Sequence, residues 1–305
     1  GKDKVLPQFA VNDCGGGLMR VLTIASVTLV TALTLVPLQA GAVDTIPFTE
    51  VNGGLIEVQG SVDGRAPVPM LIDLGAGVDV LSTELGRQLV LVKGKYVSLR
   101  LTGERVDLPL GSIVTLALGG IRVDAPNVGI WSGLDGTGIG GLVSATAFRD
   151  VATTFDFRNH QVIIEDAQTL PERQRAGVRV PLVLQDDLGI SLGLFARFDF
   201  GQGKTGLCEI DTGAQGITID KSLAASLGVN LNDPRLQHVR AATGDQVKAS
   251  ISTISLDGAP ETTIQQPSVT FANLIYDCNV GNSFWAGKIF TIYLPNHAMY
   301  VAPAS

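Results

Sequence analysis

The stretch Gly206-Leu207-Cys208-Glu209-Ile210-Asp211-Thr212-Gly213-Ala214 reads as an apolar strand that ends on an acidic residue and runs into a tight glycine turn. The same arrangement lies upstream, where the strand Ala66 to Ile72 runs into Asp73-Leu74-Gly75-Ala76, an offset of 138 (211 − 73). That strand is the return arm of a hairpin, with Leu55 to Val62 going out and Asp63-Gly64 as its turn dipeptide. Other landmarks keep nearly the same offset. Leu81, Leu85 and Leu89 follow the first aspartate at the spacing by which Ile219, Leu223 and Leu227 follow the second, which predicts a short amphipathic helix or turn in each copy. Thr102-Gly103-Glu104 matches Thr243-Gly244-Asp245 at 141 (243 − 102), and both read as hairpin tips. Gly138-Ile139-Gly140-Gly141 matches Cys278-Asn279-Val280-Gly281 at 140 (281 − 141), and Asn159-His160 matches Asn296-His297 at 137 (296 − 159). Offsets this consistent predict a tandem duplication.

The composition agrees with an all-β reading. Of 305 residues, 36 are glycine and 14 proline, too many breaks for long helices to dominate. Hydrophobic residues make up 45% and charged residues 17%, so the chain folds around a sizeable core. A net charge of −7 gives no basic footprint for a phosphate backbone, and nucleic acid is not an expected partner.

From Met19-Arg20 the chain continues through an almost uncharged Val21 to Leu38 into Ala40-Gly41-Ala42, the pattern of a secretory signal. Cleavage before Val43 is expected, leaving no stable membrane anchor. Residues 1–18 precede that start and read as an upstream or non-native segment. The polar stretch 168–177 reads as a linker between an N-terminal lobe at 45–167 and a C-terminal lobe at 178–305.

One aspartate per half, each delivered from a strand end, has a physical use when the halves face each other. Like charges at close range cannot both ionise cheaply, so the pair shares a proton. The ionised member takes a proton from water while the protonated member polarises a carbonyl. Glycine after the strand lets the backbone turn sharply and offers its amide to the carboxylate. Asp-x-Gly also occurs at Asp13, Asp187 and Asp199, but without a repeat partner.

At these residues the sequence resembles the aspartic proteases, particularly the retropepsin-like type found in bacteria. The features that match are the apolar strand, Asp211-Thr212-Gly213-Ala214, the hairpin near Gly244 and the apolar-apolar-Gly element near Gly281, with the same order in the first half. The resemblance covers nearly all of 47–302. It implies a bilobed acid-protease fold of two homologous β-barrel lobes about a pseudo-twofold axis, with Asp73 and Asp211 as the catalytic dyad of an endopeptidase. Leu74, Gly75, Ala76, Thr212, Gly213 and Ala214 would form the active-site loops. Thr102, Gly103 and Glu104, with Thr243, Gly244 and Asp245, would form two flaps over an extended polypeptide substrate. No cofactor or metal is implied, and the chain would act as an exported monomer, periplasmic or secreted.

Leu74 departs from the family, which carries threonine or serine there, its hydroxyl locking the two loops together. An active enzyme with a one-sided lock, a weakened enzyme, and a catalytically inactive peptide-binding protein on the same fold all remain open. Ala76 and Ala214 stand where pepsin-type enzymes often have a hydroxyl, so a working range less acidic than pepsin's is expected. Cys208 and Cys278 lie on segments that run side by side in the family. They are a candidate disulfide pair, against the ordinary state of buried free thiols.

Overall fold

The computed structural model describes residues 44–99, 105–112, 115–123, 127–241 and 244–303. The expected leader and the tip residues Thr102, Gly103, Glu104 and Thr243 lie outside the described residues. Strands dominate what is described and form a 15-stranded and a 10-stranded sheet.

Both lobes are built to one plan. In the first, Leu55–Val62 turns at Asp63 and Gly64, whose φ of 49° and 72° are left-handed, into Val68–Ile72. Alternate residues of that hairpin, Ile56, Val58, Val62, Met70 and Ile72, are buried. Beyond Asp73 come Val80–Leu81, the helix Thr83–Gly86 and the hairpin of Val90–Leu99 with Arg105–Ser112. Gly141–Val143 then returns between Val68–Ile72, to which it is parallel, and Val80–Leu81, to which it is antiparallel. In the second lobe Thr205–Ile210 leads to Asp211, and Ile217–Asp220 follows. Two 3-10 turns, Lys221–Leu223 and Ala225–Leu227, precede the hairpin of Gln237–Ala241 with Gly244–Ser250. Cys278–Val280 takes the returning position, parallel to Thr205–Ile210 and antiparallel to Ile217–Asp220. As expected of amphipathic turns, Leu81 and Ile219 are buried, and Leu85, Leu89, Leu223 and Leu227 pack on the core.

The pairing registers correct one landmark. Val143 lies beside Ile72, and Val280 beside Ile210, so these two valines correspond, at an offset of 137 (280 − 143). Gly141 therefore corresponds to Cys278, and Gly281 to Ser144; matching Gly141 with Gly281 was three residues out. The run of glycines at 136–141 supplied a glycine at the wrong register. Gly281 has its own reason to lack a side chain, because a Cβ there would run into the carbonyls of Ala214 and Gly216.

The lobes join through one antiparallel sheet. Its order is Asp44–Pro47, Gln161–Glu165, Ala152–Asp156, Ile289–Tyr293, Ala298–Val301, Val178–Asp187. Thr154 faces Thr291 across the junction, their hydroxyl oxygens 2.6 Å apart, with Phe155 against Phe290 and Thr153 against Ile292. Thr154 and Thr291 are themselves 137 apart, so the local twofold passes between them. His160 and His297 sit at equivalent turns with φ of 52° and 47°.

Within the expected linker, Leu170–Ala176 is helical. Pro171 in the first turn, Glu172 near the N-terminus and Arg173 and Arg175 near the C-terminus all suit a short helix. Arg173 pairs with the buried Glu165 at 2.8 Å and fastens the helix to the sheet. Asp199-Phe200-Gly201 is a hairpin turn in which the Gly201 amide donates to Asp199 Oδ1 at 2.7 Å.

Candidate active site

Each aspartate is fixed first by its backbone. The Asp73 amide donates to the Val143 carbonyl at 2.8 Å, and the Asp211 amide to Val280 at 3.1 Å. The turn that follows closes when the Ala76 amide donates to the Asp73 carbonyl, and the Ala214 amide to Asp211. The next glycine amide reaches the carboxylate: Gly75 N donates to Asp73 Oδ1 at 3.1 Å and Gly213 N to Asp211 Oδ1 at 2.8 Å.

The turns meet face to face. A Cβ on Gly75 would lie 2.6 Å from the Asp211 carboxyl carbon, and one on Gly213 would run into the Asp73 carboxyl group. Neither glycine has a left-handed φ. These positions need glycine because the opposing carboxyl approaches so closely, and a sharp turn is not the reason.

Thr212, fully buried, ties the loops together. Its hydroxyl donates to the Ile72 carbonyl at 2.8 Å and accepts from the Leu74 amide at 3.0 Å. Leu74 is equally buried and packs into the apolar core, so the lock is one-sided, as its side chain requires. Two hairpins reinforce it reciprocally. Leu192 N donates to the Gly77 carbonyl at 2.8 Å, and Gln215 Nε2 donates to the Asn52 carbonyl.

The pair is electrostatically strained in one direction. Asp73 is held well above the usual carboxylate range, first by burial, then by the Asp211 charge and the hydrogen bond between the two carboxyls. An ionised Glu209 adds to this, and the Gly75 amide opposes it.

Several polar residues around the turns were not singled out in the sequence. Glu209 is buried beside Asp211, and Asn279 Nδ2 donates to Asp211 Oδ2 at 2.7 Å. Asp79, also buried, accepts from the Ser144 amide at 2.7 Å and from the hydroxyls of Ser144 and Thr146 at 3.1 and 3.2 Å. Asn282 Nδ2 donates to the Thr212 carbonyl at 2.7 Å. Strand alternation from Asp211 would have pointed to Glu209. The others needed the register of the returning strand.

Of the expected flap residues, Gly244 and Asp245 are described, both exposed at the end of their hairpin. Cys208 and Cys278 are register partners in adjacent parallel strands, Cα atoms 4.5 Å apart, and are joined in a disulfide. Trp285 is fully buried among Phe198, Phe284 and Phe290, whereas Trp131 is partly exposed and packs on a small second cluster with Val78 and Val80.

Residues 58–145 match the family model described as aspartyl protease. No curated protein matches the chain. Among solved structures, the aspartic proteinase from Irpex lacteus is similar in fold, with 12% identity and a TM-score of 0.53 over 87% of this chain and 98% of that one. Basic 7S globulin from soybean is similar as well, with 11% identity and a TM-score of 0.51 over 86% of this chain and 95% of that one. The chain is thus related in sequence to the aspartyl protease family through residues 58–145, and it has the bilobed, pepsin-like fold of the aspartic proteinases.

Proposed function

We propose that this protein is an aspartic endopeptidase in which Asp73 and Asp211 share one proton and activate a water. The observation that carries the reading is the close approach of the two carboxyls, each held by its own glycine amide. In the reaction one carboxylate removes a proton from water as its oxygen adds to the peptide carbonyl carbon. The other carboxyl gives its proton to the carbonyl oxygen. The tetrahedral intermediate then breaks its C–N bond as the leaving nitrogen takes the proton that the base drew from water, while one gem-diol hydroxyl returns its proton to the other carboxylate, giving the acid and the amine and restoring the singly protonated dyad.

The substrate is an extended polypeptide, lying between the hairpin of Gln237–Ala241 with Gly244–Ser250 and its N-terminal counterpart. Main-chain hydrogen bonds to such hairpins suit an extended chain of any sequence. The expected signal at 19–42, together with a disulfide that needs an oxidising compartment, supports a periplasmic or secreted protein, and one chain supplying both aspartates supports a monomer. The parallel placement of Asp73 and Asp211, Val143 and Val280, and His160 and His297 supports an internal duplication.

Cleavage of a denatured protein across pH tests the assignment. Asp73→Asn and Asp211→Asn are each expected to lower kcat by at least ~10³-fold, and the wild-type optimum to lie above pepsin's strongly acidic range. Undiminished cleavage by either variant would sink the proposal. The buried Leu74 favours a second reading, a catalytically inactive peptide-binding protein. Binding of a pepstatin-type transition-state mimic without any peptide cleavage would select it.

A further inference from the structure

The two lobes differ in what stands behind their aspartates. Glu209 lies two residues before Asp211, so strand alternation puts both side chains on one face. Asn279 is opposite Glu209 in the parallel neighbouring strand. Its amide nitrogen donates to Asp211 Oδ2 at 2.7 Å and reaches Glu209 Oε2 at 3.4 Å. Both neighbours present carboxyl oxygens, so it is the NH2 end of the amide that faces them. Asn279 is 1% exposed and Glu209 8%, so the contact between them is buried and the bond to Asp211 is partly buried. In the first lobe the same two register positions hold Leu71 and Leu142, which have no polar atom to offer Asp73.

Asp211 therefore has a donor on each oxygen, Gly213 N on Oδ1 and Asn279 Nδ2 on Oδ2. Such bonds favour the ionised carboxylate. We propose, building on the peptidase reading, that Asn279, seated by Glu209, is a positioning residue that makes Asp211 the water-activating base and leaves the shared proton on Asp73. Among the described residues, the titratable groups that act on Asp73 are Asp211 and Glu209. The strand Cys278–Val280 contributes the neutral Asn279, and the strand Ser191–Asp199 sets Phe195 across from Glu209. Burial and the Asp211 charge push Glu209 up to about 8, so through the acid range it stands behind Asn279 as a neutral acceptor.

Asn279→Leu copies the first lobe and tests the inference. Its expected effect is a fall in kcat of about tenfold with KM little changed, and an acid limb of kcat/KM displaced upward by about one pH unit. Glu209→Gln, which keeps an oxygen toward Asn279, should displace the limb less than Glu209→Leu. Circular dichroism melts establish that each variant is folded. A folded Asn279→Leu protein with the wild-type acid limb overturns the proposal. Carboxyl 13C NMR titration of the full chain reads the same assignment without turnover. Asp73 should keep its proton through the first ionisation of the pair in the wild type and give part of it up in Asn279→Leu; a wild-type Asp73 that ionises first also overturns the proposal. A wild-type chain in which Asp73 keeps its proton through that first ionisation yet cuts no peptide would sink the peptidase reading and leave the positioning role standing.

Discussion

Around the dyad the two lobes share a backbone and differ in where they put polar atoms. Asp79 and Ile217 occupy the same register position, each beside the valine of the returning strand, and Ser144 and Gly281 follow those valines. The first lobe buries a carboxyl at that position and satisfies it with Ser144 and Thr146. The second keeps isoleucine there and instead places Glu209 and Asn279 behind its aspartate, with Thr212 after it. The first has Leu71, Leu142 and Leu74 at those three places. A pseudo-twofold frame thus carries an asymmetric site, with the polar support of the reactive turns concentrated in the C-terminal lobe.

The largest effect expected of breaking this comparison is at Thr212. Thr212→Val keeps the shape but leaves the Ile72 carbonyl and the Leu74 amide buried without their partner. Each such orphan costs about 1–3 kcal/mol, so a loss of about 2–6 kcal/mol in chemical denaturation is expected, with kcat/KM down at least tenfold. Thr212→Ser should lose far less. Equal losses for Val and Ser would assign the effect to packing and remove the asymmetry of the lock.

Much of the frame could be read from the sequence because it depends on local pattern: alternation in Leu55–Val62, the Asp63-Gly64 turn and the aspartate at each strand end are written in consecutive residues. The returning strands were harder. Gly141–Val143 and Cys278–Val280 are three residues each, too short for periodicity to fix a register, and glycine was the misleading marker. Asp79 with Ser144, and Asp211 with Asn279, are 65 and 68 residues apart, so only the register could bring them together. The helix Leu170–Ala176 was hidden because its polar, proline-bearing sequence is what both a linker and an exposed helix start require.

A middle-sized effect separates the lobes by pH. Burial raises Asp79 from 3.8 to about 6 against the bonds from Ser144 and Thr146. The folded state then binds that proton more tightly than the unfolded state. Asp79 contributes its full stability below about pH 3.8 and loses it as pH rises through about 6. The change amounts to about 2–3 kcal/mol. In Asp79→Asn the Oδ1 still accepts from Ser144 and the new amide donates to the Thr146 hydroxyl, so the dependence should vanish. Thermal melts should find the variant above wild type at pH 8 and near it at pH 4. Parallel curves for the two proteins would show that Asp79 does not carry the dependence. Glu209, raised from 4.5 to about 8, adds a second decline that this variant leaves in place.

The smallest effect comes from restoring symmetry. Leu74→Thr would supply the missing hydroxyl, positioned by the pseudo-twofold to bond the opposite turn as Thr212 bonds Ile72 and Leu74. Two new hydrogen bonds are worth about 0.5–1.5 kcal/mol each. Against them stands the loss of buried apolar surface, since Leu74 is fully enclosed in the core, at about 0.8 kcal/mol per methylene plus a cavity cost. The terms nearly cancel, and a stability change within about 1 kcal/mol is expected in denaturant titration. Activity should respond more clearly, with kcat rising a few-fold as both loops become locked. A stability loss well beyond 2 kcal/mol with no gain in kcat would mean that the first lobe has packed its core around leucine, and that the one-sided lock is the arrangement this site requires.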